Sequence, residues 1–305
     1  MGLFSRSKAA PTPQETSTTT PTAGESALGA DDAAVATFPV GLKIWKSPEA
    51  PTVDICFIHG LTGNRDSTWT APGASAPWPQ LLLAEKLGTA RLLTYGYDAY
   101  VVKKAPASRN RLIYHAKNLL NDVVDDREAN DAVSRPLIFV VHSMGGLVCK
   151  EAILQSRDNP DVYLQDVFRS VKGVVFMGTP HKGSWIADWA KIPANALGLV
   201  KSTNKSLLQI LETDDQMLES VHLRFLAMVR QLREEQRELE IICFFEELGL
   251  PVVGVVVSKE SATLPPYNVQ SIHATHSNMV KFASAEDPGF VRVLASLRRW
   301  ESKSR

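Results

Sequence analysis

The sequence has little with which to staple itself covalently. Its three cysteines, Cys56, Cys149 and Cys243, stand far apart in apolar stretches, and no two form a CxxC pair. An odd, scattered set argues against a disulfide framework and for a reducing compartment, with each cysteine acting as a small buried hydrophobe. Net charge is missing too. Lys plus Arg and Asp plus Glu number 33 each, so nothing favours nucleic acid as a partner. No apolar run nears the ~20 residues of a membrane span. The N-terminus lacks the apolar core of a secretory signal, which makes a secreted protein unexpected. Gly2 follows Met1, but Arg6 stands where a myristoylation site takes Ser or Thr. Residues 1–14 carry Arg6 and Lys8 with no acid before Glu15. Weak mitochondrial presequences and generic polar tails share that pattern, and the tail is the plainer reading.

What is present is enough for one large domain with a buried core: 305 residues, 44% hydrophobic and 22% charged. Residues 1–38 are rich in Pro, Thr, Ser and Ala and offer no face to bury, so they read as a disordered tail before a domain over 39–305. Strands are expected at Leu42–Trp45, Val53–His59, Arg91–Gly96, Pro136–His142, Lys172–Met177, Leu239–Phe245 and Val252–Ser258. Several are apolar on both faces, as in Ile138-Phe139-Val140-Val141, which calls for a sheet covered on both sides. Between them, Asn110–Asp125 and Asp214–Leu232 carry helical stripes such as Leu112, Ala116, Leu119 and Val123. Alternating strands and helices imply an α/β protein with a mostly parallel, doubly wound sheet.

The chemistry concentrates where these strands end. Val140-Val141-His142-Ser143-Met144-Gly145-Gly146 is a β-branched run broken by a serine and two glycines, followed by a helix former from Leu147. Strand, sharp turn and helix are the context of a nucleophile elbow, which exposes the serine and aims a helix N-terminus at the reacting oxygen. The usual elbow is G-x-S-x-G. Val141 occupies the first glycine's place, so a side chain must fit a crowded spot. Ile58-His59-Gly60-Leu61-Thr62-Gly63 follows an early strand. In an elbow protein such a loop supplies one oxyanion donor, here Leu61, and the residue after the nucleophile, Met144, supplies the other. His276, before a helix expected to start near Ser277, is the base, with His273 as local rival; His115, His181 and His222 read as surface or core residues. The orienting acid should follow the penultimate strand. Glu246 is the first candidate, Glu247 the second and Glu260 the third. Consecutive strand residues face opposite ways, so Glu246 and Glu247 should not both meet His276.

Taken with Thr68-Trp69-Thr70, Thr94-Tyr95-Gly96-Tyr97 and Phe176-Met177-Gly178-Thr179-Pro180-His181, these motifs resemble the serine-active-site-containing proteins. Those are lipase-like α/β-hydrolases related to DUF676-type and inositol-deacylase-like lipases. The resemblance spans about 41–300 and implies an α/β-hydrolase fold with Ser143 as nucleophile, His276 as base and Glu246 as acid. It also implies intracellular ester or lipid chemistry, with members placed at mitochondria and endoplasmic reticulum. The expected reaction is ester cleavage through an acyl-enzyme, with no metal or cofactor. Residues 183–211 break the strand–helix rhythm with Trp185, Ile186, Trp189 and Leu197. They read equally as a cap suited to an acyl chain or peripheral membrane contact, and as ordinary packing. Two other readings stay open: a catalytically weak hydrolase-like binding module, and a phospholipid-remodelling acyltransferase, which would use the same acyl-enzyme. The oligomeric state is not legible.

Overall fold

A computed structural model describes residues 39–61, 63–98, 108–182, 215–251 and 253–303. The tail over 1–38 and the insertion over 183–211 lie outside the described residues. Contacts divide the chain into units of 1–37 and 38–305, and the second holds everything below. Seven strands form one sheet: β1 (Gly41–Lys46), β2 (Val53–Ile58), β3 (Ala90–Gly96), β4 (Leu137–His142), β5 (Val171–Met177), β6 (Glu240–Glu246) and β7 (Asn268–Ile272). Their order is β1-β3-β2-β4-β5-β6-β7. Only β1 runs antiparallel, paired to β3.

Strict alternation in the strands builds two cores. Cys56, Ile58, Phe139, Val141, Val174, Phe176 and Cys243 face one side. There they meet α1 (Ser108–Ala129), α2 (Gly145–Arg157), α3 (Val162–Ser170) and α4 (Asp215–Glu234). Ile55, Phe57, Ile138, Val140, Val175, Ile242 and Phe244 face the other. There they meet Trp69, Trp78 and the apolar stripe of α5 (Pro288–Lys303): Phe290, Val293, Leu297 and Trp300. Each such side chain contributes roughly 1.5–3 kcal/mol by leaving water. This is the two-sided burial that the apolar strands imply. Among the described residues no helix is long and apolar enough to cross a membrane.

Two expectations fail. Of the strand expected at Val252–Ser258, the described residues 253–258 form none. Leu250 N–H bonds Gly254 O at 2.7 Å, and the chain then turns back over the end of β6. The last strand is Asn268–Ile272, an edge strand in which only Ile272 is buried, so its alternation is too weak to read. Likewise the segment after His276 is a turn, with Met279 N–H on Thr275 O at 2.9 Å, and the final helix waits until Pro288. Proline suits a first helical turn, where its missing N–H leaves no bond unmade.

The topology decides where a site can form. From β2 the chain crosses to β3 on one flank, and from β3 it returns to β4 on the other. The connections after β2 and β4 therefore set off to opposite flanks of the sheet, the arrangement at whose switch point α/β sheets place their sites. At the opposite end of the same strands, buried Asp54 binds Arg127 Nη1 at 2.5 Å and Arg135 Nη1 at 2.9 Å. Beside it, Arg91 makes two 2.7 Å bonds to Asp126. Removing one partner of such a network strands the others' charge. Asp54→Asn should therefore lower unfolding stability in urea by about 3–5 kcal/mol, while the folded fraction keeps the circular dichroism of the wild type at low urea.

Candidate active site

Ser143 follows the last residue of β4 at a φ of 53°, in the left-handed region. A non-glycine residue there is strained by about 1–3 kcal/mol and must be held by its surroundings. Three contacts hold it. Ser143 N–H donates to Met177 O at 2.9 Å, Gly146 N–H closes the turn on Ser143 O at 3.0 Å, and α2 begins at Gly145. Gly60 makes room from the other side: a Cβ there would lie 2.7 Å from Ser143 Cβ. The hydroxyl is buried and has no hydrogen-bond partner among the described residues. Val141 fits in place of the elbow's first glycine because its side chain joins the core beneath the turn, fully buried with Ile58 and Phe176.

The loop after β2 lies against this turn. Its shape is set by His59, whose ring stacks on Tyr97 at 4.4 Å between centroids. His59 Nδ1 donates to Gly60 O at 2.8 Å, Nε2 accepts Tyr97 N–H at 3.2 Å, and Tyr97 Oη donates to His59 O at 3.0 Å. Both ring nitrogens and the phenol are thereby used, and the imidazole is neutral: burial pushes it down to about 4. Leu61 lies one residue beyond Gly60 in this loop, and Met144 is the N-cap of α2. Neither backbone N–H has a hydrogen-bond partner among the described residues.

Glu246, His276 and the end of β5 meet next to the elbow. His276 Nδ1 lies 2.5 Å from Glu246 Oε2, and both side chains are buried. The other carboxylate oxygen, Oε1, accepts the backbone N–H groups of Val256 and Val257. The apolar run misread as a strand is thus the wall that buries the acid and supplies two of its donors. The His276 ring lies over Gly178, where a Cβ would come 3.1 Å from Nδ1. Serine and histidine therefore flank the same Met177–Gly178 peptide. The rivals are placed elsewhere. Glu247, turned the opposite way, pairs at 2.8 Å with the exposed His273, and Glu260 is exposed beyond Val257.

Two groups escaped the sequence reading. His142 Nε2 lies 3.1 Å from His276 O. Lys150, fully buried on α2, meets His181 Nδ1 at 2.7 Å between the rings of Phe176 and Phe225, and burial pushes its amine down to about 7. His181 N–H in turn bonds Ser261 O at 2.7 Å, which ties the loop after β5 to the one carrying Val256 and Val257. A lysine at one position of an otherwise apolar helix face was the available signal for the second group.

Comparison with known proteins bears on the family and the fold. Residues 54–222 match the family model described as "Putative serine esterase (DUF676)". The chain is 26% identical to Protein SERAC1 of Danio rerio over 252 residues, which is 75% of this chain and 36% of that protein. It is 23% identical to Protein SERAC1 of Homo sapiens over 276 residues, 83% of this chain and 40% of that protein. The chain thus spans about two fifths of the length of these curated relatives. Among solved structures, the lipase BlEst2 of Bacillus licheniformis shares the fold at a TM-score of 0.53 and 16% identity, over 83% of this chain and 97% of that one.

Four buried histidines set the acid stability. Burial pushes His59 and His222 down to about 4, and holds His142 and His181 well below the ordinary range. Below pH ~6.5 the unfolded chain binds these protons before the folded one does, so stability falls as pH drops. For His59 alone the loss between pH 6.5 and 4 is on the order of 3 kcal/mol. Thermal melts at pH 7.5, 6 and 5 should show a falling melting temperature. A flat profile would mean that these imidazoles take up protons in the native state as readily as in the unfolded chain.

Proposed function

The chain belongs to the DUF676 serine esterase family and is an ester-bond hydrolase, and from that premise we propose that it works through an acyl-enzyme on Ser143. The observation that carries the reading is the buried Glu246–His276 pair, set beside a serine in strained left-handed geometry. With Nδ1 committed to Glu246, Nε2 is the base. It takes the Ser143 proton as Oγ attacks the ester carbonyl. The N–H groups of Leu61 and Met144 receive the oxyanion, each contributing roughly 3–4 kcal/mol to lowering the barrier. The tetrahedral adduct collapses, the C–O bond to the alcohol breaks, and His276 returns the proton to the departing alkoxide. Water then attacks the acyl-enzyme by the same route and releases the acid. Glu246 fixes the tautomer and stabilises the imidazolium throughout. The hydrolase domain runs over 39–305.

For substrate we favour a lipid ester. The support is compositional: Trp185, Ile186, Trp189, Ile192 and Leu197 follow β5 closely in sequence. On a short p-nitrophenyl ester, Ser143→Ala should abolish turnover without changing circular dichroism. Glu246→Gln should lower kcat by about 1,000-fold or more, while Glu247→Gln and Glu260→Gln stay near wild type. Full activity of Ser143→Ala would reject the nucleophile, and a crippled Glu260→Gln beside an active Glu246→Gln would move the acid. Product analysis of a long-chain ester, with and without a lipid alcohol, separates hydrolysis from acyl transfer.

A further inference from the structure

The residue that closes β4 has no part in the steps above, yet it touches both halves of the site. His142 is buried, and its Nε2 lies 3.1 Å from the carbonyl oxygen of His276. A carbonyl only accepts, so Nε2 carries the proton and donates, which leaves Nδ1 with the lone pair. Nδ1 faces the loop after β2, where a Cβ on Gly60 would lie 3.1 Å from it. The His142 and His276 rings are 4.8 Å apart, tilted by 39°. Burial first, and then His276, hold His142 well below the ordinary histidine range, against the opposing pull of its bond to His276 O. His59 and Lys281, the other titratable groups acting on it, push the same way. His142 is therefore a neutral ring with one fixed tautomer.

We propose that His142 is a positioning residue for His276, tying the main chain of the base to the strand that carries the nucleophile. The need follows from the local structure. His276 sits in a turn between β7 and the distant start of α5, beyond the end of the strand that precedes it. Glu246 fixes the imidazole but not the backbone from which it hangs. The bond from His142 spans 134 positions of sequence and anchors that backbone to the residue next to Ser143. Base and nucleophile then move together. The neutrality of His142 also serves the reaction, because a second cation 4.8 Å from His276 would oppose imidazolium formation there.

This inference rests on His276 being the base, so the test includes His276→Ala. His142→Phe keeps a ring but removes the donor, and His142→Gln restores an amide N–H near the position of Nε2. On a short ester, His142→Phe should lower kcat by about 100-fold with KM almost unchanged, and His142→Gln should recover most of the loss. In the resting protein, the low-field proton resonance of the His276–Glu246 bond should shift or broaden in His142→Phe and return in His142→Gln. A residue that only supports folding would leave that resonance and the kcat of the folded fraction alone. His142→Leu serves if the Phe variant does not fold. Wild-type kcat and an unmoved resonance in the folded Phe or Leu variant overturn the positioning role. So does failure of both to fold. An inert wild type, or an active His276→Ala, overturns the catalytic reading itself.

Discussion

The site depends on one backbone constraint, the left-handed turn at Ser143. No L-residue adopts it freely, so the strain must be carried by packing around it. The structure surrounds the turn with close approaches. The Met177 carbonyl holds its N–H, Gly60 leaves room beside its Cβ, and the helix that begins at Gly145 fixes its exit. Gly146 abuts Thr179 from the loop after β5, so a side chain there would collide with its hydroxyl. β2, β4, β5 and α2 thus meet at one residue, at the point in the strand order where the chain's connections part to opposite flanks.

A second requirement is electrostatic. A carboxylate taken out of water needs donors for its lone pairs. Glu246 has the His276 imidazole on one oxygen and the Val256 and Val257 amides on the other. The buried Val256-Val257 pair can shield the acid because its backbone, not its side chains, does the bonding. From there hydrogen bonds pass loop to loop. Ser261 O takes His181 N–H, His181 meets Lys150 on the elbow helix, and His142 returns from the elbow to His276. Serine, histidine and glutamate come from distant parts of the sequence, yet each is braced by a neighbour of another.

The sequence carried most of this where a residue's type and its local period agreed. Six of the seven strands were legible because their apolar faces are unmistakable, and the strand–Ser–Gly-Gly–helix order placed the elbow. The chain misleads where a local signal serves a non-local purpose. Val252–Ser258 has the composition of a buried strand, yet its buried pair, Val256 and Val257, serves Glu246. Asn268–Ile272 is a strand whose edge position removes the alternation that would reveal it. The brace from His142 was invisible because its partner is a main-chain oxygen far along the sequence. The separation of Glu246 from Glu247 followed from the strand's period of two, with each finding a different histidine.

Covalent capture tests the central claim, an acyl-enzyme on Ser143, most directly. The intact protein is treated with a fluorophosphonate, which transfers its phosphonyl group to an activated serine with loss of fluoride. Its mass is then taken before and after digestion. The account predicts one adduct per chain, carried on the peptide containing Ser143 and absent when Ser143 is replaced by alanine. An esterase-active preparation that takes up no label, or takes it up on another residue, would contradict it.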